Sequence, residues 1–189
     1  MAPETGQFYY AGIGSRETPE HMQTIMNQVA RYLESEGWIL RSGAAEGADR
    51  AFEEGIHDEA KEIYLPWAGY NNHPSELNPK VYPFTQMEQD FTAHYHPAWK
   101  KCSPSARLLH QRNTRIVLGL EPIHGPHVKP VRFIVCWTVR GMPVGGTGQA
   151  LRIAASYKIP IINFGKATNP KELEKQLLEL DDIQGKERA

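Results

Sequence analysis

Phe8-Tyr9-Tyr10-Ala11-Gly12-Ile13-Gly14-Ser15-Arg16 is the stretch that decides how this chain is read. Phe8 to Ile13 is a short apolar run, the pattern of a buried strand, and small and polar residues follow at its carboxyl end. A helix comes next, with Thr18 as its expected N-cap and Pro19 at the first helical position. Met22, Ile25, Met26, Val29, Tyr32 and Leu33 recur at three- and four-residue spacing, and Gly37 stops the helix. Trp38-Ile39-Leu40 reads as a second strand, followed by Ser42-Gly43-Ala44-Ala45-Glu46-Gly47-Ala48-Asp49, a short helix through Glu54 and a third strand at Glu62-Ile63-Tyr64-Leu65. This β-α-β-α-β alternation predicts an α/β fold: a Rossmann-like open parallel sheet with helices on both faces.

Further along, residues 66–104 break the rhythm. Six prolines and several aromatics make this a long Pro-rich excursion, of the kind that serves as a lid, a binding loop or packing decoration; the part around Gln86–His94 has helical capacity. Ser105 to Leu118 reads as a helix carrying Arg107, Arg112 and Arg115. Arg132–Trp137 is a fourth strand, Gly148–Tyr157 a helix and Ile159–Phe164 a fifth strand. Asn169, Pro170 and Glu172 set up a capped final helix through Leu180, and the tail 181–189 is expected to fray.

At 189 residues the chain is expected to be one domain, 1–189, large enough to bury a core without disulfides. Hydrophobic residues make up 40% and charged residues 23%, which excludes a disordered or collagen-like polymer. No apolar run approaches the ~20 residues of a membrane span, and Met1-Ala2-Pro3-Glu4-Thr5 has no signal-peptide pattern. Cys102 and Cys136 are too few for a cysteine-rich scaffold. A cytoplasmic protein is expected. The net charge of −1 is not that of a protein that coats nucleic acid. It hides an asymmetry, however: residues 1–65 hold five basic against twelve acidic residues, whereas residues 100–132 hold seven basic residues against Glu121 alone. Such a block is either a phosphate-binding face or a solvated surface.

Three small-residue segments follow predicted strands: Gly12-Ile13-Gly14-Ser15-Arg16, Ser42 to Asp49, and Gly145-Gly146-Thr147-Gly148. In an open parallel sheet, ligands bind at the carboxyl ends of the strands. Glycine there lets backbone N–H groups approach an anion, and helix N-termini add partial positive charge. The expected ligand is therefore a nucleotide or nucleotide-derived small molecule held through its phosphates. The residues expected to hold it are Gly12, Gly14, Ser15, Arg16, Ser42, Gly43, Glu46, Asp49, Arg112, Arg115, Gly145, Gly146, Thr147 and Gly148.

Gly14-Ser15-Arg16 before a helix, followed by Ser42-Gly43-x-Ala45-x-Gly47-x-Asp49, resembles the core of the DNA-processing protein A family. Arg112-Asn113-x-Arg115-Ile116-x-x-Gly119-Leu120 is similar to that family's Arg-Asn-Arg-x-Ile-x-Gly-Leu segment, and Gly145-Gly146-Thr147 falls where the family has Ser-Gly-Ser. His110-x-Arg112 and Gly145-Gly146-x-Gly148 also resemble motifs of the Lonely guy (lysine-decarboxylase-like) phosphoribohydrolases, which share this core in the SLOG superfamily. These resemblances imply nucleotide binding, with single-stranded DNA binding or hydrolysis of a nucleotide N-glycosidic bond as alternatives, and folds of this kind commonly form homodimers. Three departures matter. Arg152 and Gln149 stand where the phosphoribohydrolase motif has glutamate and threonine, and Arg152 cannot act as a general base. Glu46 replaces a residue that is usually basic in the DNA-processing pattern, and a carboxylate repels phosphate. About 25 residues follow the last predicted strand, so no winged-helix module is expected after it.

Individual residues carry competing readings. Ser15 either donates to a phosphate or caps its turn. Arg112 and Arg115, three apart on one helical face, offer two planar forks to one phosphate, or pair with acidic neighbours. Glu46 and Asp49, also three apart, are the candidate catalytic carboxylates; alternatively, Asp49 caps a helix and Glu46 is solvated. His94 and His96, and His124 and His127, lack any zinc-type spacing, so no metal is expected. Cys136 reads as core, and Trp67 and Trp137 are either base-stacking or buried. No cofactor is indicated beyond the nucleotide-type ligand.

Overall fold

A computed structural model of the chain describes residues 7–120 and 129–188. Five strands, β1 (Phe8–Gly14), β2 (Trp38–Ser42), β3 (Lys61–Ile63), β4 (Phe133–Trp137) and β5 (Ile161–Asn163), form one parallel sheet in the order β3-β2-β1-β4-β5. Every pairing is parallel, with Tyr10 beside Phe133 and Leu40, and Ile134 beside Ile161. Among the described residues six α-helices accompany it: α1 (Glu20–Ser35), α2 (Ala48–Glu53), α3 (Gln86–His94), α4 (Pro104–Leu118), α5 (Gly145–Ser156) and α6 (Pro170–Arg188).

Strand residues alternate between two cores, as a sheet covered on both faces requires. Tyr10, Leu40, Phe133, Val135 and Ile162 pack with α1, α2 and α6 residues such as Met26, Leu33, Phe52 and Leu180. Tyr9, Ala11, Ile13, Ile134 and Cys136 face the other way, onto Ile116 and Val117 of α4 and Ala150, Leu151 and Ile153 of α5. The doubly covered Rossmann-like sheet read from the sequence is the fold of the chain.

The expected element ends shift for physical reasons. Thr18 is not the N-cap of α1: its hydroxyl donates to the Ser15 carbonyl at 2.6 Å, and Pro19 takes the cap position. The glycines 145 and 146 lie inside the first turn of α5 rather than before it. The tail after Leu180 is helical, not frayed, and α6 runs to Arg188. Leu180 is buried there, Ile183 packs on the same core, and Trp38 Nε1 donates to Gln184 at 3.0 Å. The excursion packs against the domain. Its helix α3 carries a capping box between Thr85 and Glu88 and is fastened to α4 through Thr92–Thr114 and Glu88–Arg115.

Candidate functional site

The sheet reverses direction of winding between β1 and β4, so the loops leaving these strands diverge to opposite faces and open a crevice, the usual ligand position in such folds. A cleft of about 450 Å³ lies there. One wall is Ile13 to Glu17, leaving β1; the second is Thr138 and Val139, leaving β4, with Val144 to Thr147 opening α5. The third comes from α4 through Ala106, Leu109, His110, Arg112 and Asn113, and Ala45 and Asp49 form the remainder.

Of the expected ligand residues, Gly14, Ser15, Arg16, Asp49, Arg112, Gly145, Gly146 and Thr147 line this cleft. Ser15 both caps and lines: its Oγ accepts from the Glu17 N–H at 3.1 Å. Arg16 is exposed and tethered at one end, where it donates to the Tyr70 hydroxyl at 3.1 Å. Asn113 Nδ2 donates to the Gly146 carbonyl at 3.0 Å and so fixes the start of α5 against α4.

Arg112 is 5% exposed and acts on the protein before it can act on a ligand. Its guanidinium donates to the Gly43 carbonyl, lies 3.9 Å from Asp49 and sits over the Tyr70 ring. Gly43 is required for this: a Cβ on it would occupy the guanidinium's place. Asp49 accepts in turn from the N–H groups of Gly14 at 3.3 Å and Ala45 at 3.4 Å, tying the β1 and β2 loops together. Burial pushes the Asp49 carboxyl up to about 6, against the opposing pull of Arg112 and the backbone donors. Burial likewise pushes the Arg112 guanidinium down from its ordinary value, and the His110 imidazole down to about 4.

Other expected residues are placed elsewhere. Arg115 does not join Arg112 on a phosphate; it is 3% exposed, pairs with Glu88 at 2.7 Å, and donates to the Tyr82 and Pro83 carbonyls. Glu46 does not share a face with Asp49: it is exposed, pairs with Arg50 at 3.2 Å, and belongs to a separate shallow depression. Gly12 packs against Phe52 and Leu40, where a Cβ would meet carbons at 2.5 and 2.8 Å, and Ser42 donates to its carbonyl at 2.6 Å. Gly148 is a packing glycine against the Pro143 carbonyl. Trp67 stacks edge-on with Tyr70, and Trp137 packs against the core; neither lines the cleft. Burial pushes the Cys136 thiol up to about 12, as befits a core residue. His124 and His127 lie outside the described residues.

The basic block 100–132 is not one surface. Arg112 and Arg115 are consumed internally, Lys100 and Lys101 lie in a 3-10 turn before α4, and Arg132 pairs with Glu187 at 3.6 Å. Lys129 and Arg132 line a depression shared with Tyr9 and Pro160, away from the cleft. Sequence reasoning named His110 and Asn113 within motifs but did not assign them to the site. Tyr70, which touches Arg16 and Arg112, left no signal, since it arrives from the excursion.

No protein-family model and no curated protein sequence matches the chain. Among solved structures it is similar to DNA processing protein A from Helicobacter pylori, a protein described by its single-stranded DNA binding mode. The TM-score is 0.53 at 16% sequence identity, over 94% of this chain and 77% of the other. The chain therefore has a DNA processing protein A-like, Rossmann-like fold, with its candidate site at the sheet's switch point.

Proposed function

We propose that the cleft binds a nucleotide-derived ligand through its phosphate groups. The observation that carries this reading is the meeting, in one cleft, of the Ser15-Arg16 turn with the glycine-opened N-terminus of the twelve-residue helix α5. Helix N-termini present unpaired N–H groups and partial positive charge to an anion, and side-chain-free glycines let an oxygen come close. Ser15 uses its Oγ as acceptor, which leaves its hydroxyl hydrogen for a phosphate oxygen. Arg16 supplies an exposed charge, while the buried Arg112–Asp49 pair holds the loops in place. A volume of about 450 Å³ suits a small nucleotide.

Single-stranded DNA is the second reading, favoured by the likeness to a protein described as binding it. A chain with its basic block divided among interior pairs and separate surfaces has few phosphates to engage along a strand. Glycosidic hydrolysis draws no support from the two candidate carboxylates: Glu46 faces away, and both oxygens of Asp49 accept backbone N–H groups.

The test is native mass spectrometry of freshly purified chain for a co-purified nucleotide, followed by a thermal-shift screen of mono- and dinucleotides. Arg16→Ala is expected to weaken binding of any positive ligand by about 1.5–3 kcal/mol, the scale of a charge-assisted hydrogen bond, with the empty protein melting as before. No shift with any nucleotide would sink the reading.

A further inference from the structure

His96, Cys102 and His110 are far from any metal-binding spacing in sequence, but the fold gathers them. One ligand atom of each lies within 4.8 Å of the others. His96 follows the end of α3, Cys102 closes the Trp99–Lys101 turn just before the N-cap of α4, and His110 sits two turns into α4. Docking α3 and its trailing segment along α4 is what assembles the three.

The separation of Cys102 from His96 matches a metal's demands. Zinc bonds of about 2.3 Å to sulfur and about 2.0–2.1 Å to nitrogen, at a tetrahedral angle, set the sulfur and nitrogen about 3.6 Å apart. Cys102 Sγ lies 3.7 Å from each ring nitrogen of His96. The two imidazoles lie side by side, tilted by 56° with centroids 4.2 Å apart, so side-chain rotation brings a nitrogen of His110 into the same shell. A second observation is independent of these distances. His110 is only 7% exposed, and its Nδ1 is buried without a hydrogen-bond partner. A buried ring nitrogen left unsatisfied is a cost that a ligand removes.

We propose that His96, Cys102 and His110 form a binding site for one borderline-soft divalent transition-metal ion, zinc by preference, on the α4 wall of the cleft. Two imidazoles and a thiolate are the donor set that zinc favours, and three protein ligands leave it a coordination position. Binding displaces the Cys102 thiol proton to solvent, so the site's charge rises by one rather than two. That matters here because Arg152, anchored by the Tyr95 and Pro143 carbonyls, lies within electrostatic reach of both imidazoles. His96 Nδ1 accepts from the Ala98 N–H at 3.2 Å; either ligation mode gives up that one bond, because ligation through Nε2 moves the ring proton onto Nδ1.

Cobalt(II) titration of the 189-residue chain, kept reduced with a phosphine and stripped of metal beforehand, tests the site. The expected result is a near-ultraviolet thiolate-to-cobalt charge-transfer band with strong tetrahedral visible bands, saturating at one cobalt per chain and displaced by zinc. Cys102→Ser loses the charge-transfer band, His96→Ala and His110→Ala lose the tetrahedral bands, and Cys136→Ser keeps both. Because a variant can fail to fold, the wild-type chain supplies a second measurement: zinc protects Cys102 from alkylation, read by peptide mass mapping. Absent bands, a charge-transfer band that survives Cys102→Ser, or alkylation of Cys102 unaffected by zinc would each overturn the proposal. None of these readouts depends on what the cleft binds.

Discussion

Arg112 and Arg115 show what a helical face cannot say about itself. Three residues apart, they share a side of α4, yet they serve separate ends: Arg112 supports the Gly43 loop, and Arg115 clamps the excursion through Glu88, Tyr82 and Pro83. Their acceptors come from elements distant in sequence, which spacing does not reveal. Arg115→Ala leaves the Glu88 carboxylate buried without its cation, so it is expected to cost about 3–5 kcal/mol. Urea unfolding measures this, and ligand-induced thermal shifts should survive in the variant wherever it remains folded. Asp49 gives a prediction in pH. Its folded value of about 6 lies above the ordinary 3.8, so between these values the native state binds a proton that the unfolded chain has released. Stability from this group is therefore greatest at low pH and falls as pH rises from about 4 to about 6, levelling off above; at 1.36 kcal/mol per pH unit the fall approaches ~3 kcal/mol. Asp49→Asn should remove that slope. Comparing the two proteins by denaturant unfolding across this range checks it, and parallel curves would count against a raised Asp49.

At the scale of elements, the sheet was readable because buried parallel strands leave compact apolar runs and their helices leave three- and four-residue periodicity. Phe8–Gly14, Trp38–Ser42 and Phe133–Trp137 show this plainly. The carboxyl-end glycine segments stand out in the sequence as well, although glycine serves turns and close packing as readily as ligands. What stayed hidden was made by long-range docking. Nothing local marks residues 181–188 as helix, since their stability comes from Leu180, Ile183 and Gln184 meeting α1 and Trp38. Nor does spacing say which glycines line the cleft and which, as at Gly12 and Gly43, only make room for Phe52 or Arg112. Leu180→Ala tests the anchoring of α6. A leucine 2% exposed in this core should cost about 2–5 kcal/mol on truncation, and amide exchange should show the last two turns of α6 opening first. A loss under about 0.5 kcal/mol would mean that α6 is only laid on the surface.

For the whole molecule, the distribution of charge separates a small ligand from a strand of DNA. The net charge is −1, the first 65 residues are strongly acidic, and the basic block 100–132 is divided between interior pairs and surfaces at different ends of the sheet. A protein that tracks a strand needs a row of accessible cations, and each phosphate it neutralises contributes about −0.7 to the slope of log affinity against log salt. Arg16 and the N-terminus of α5 are compact enough to serve one phosphate group or two. Binding of an oligonucleotide, followed by fluorescence anisotropy, is therefore expected to be weak near physiological salt, with a slope no steeper than about −1.4, the value for two phosphates. A mononucleotide at 100 times its dissociation constant should add roughly 2.7 kcal/mol of stability, and it should displace the oligonucleotide, because both would use the same cleft. Arg16→Ala should weaken both ligands together. A slope of about −2.8 or steeper, corresponding to four or more phosphates, with mononucleotides failing to compete, would move the function from the cleft to an extended nucleic-acid surface. The exposed lysines 100 and 101, beside α4, would then be the first positions to replace.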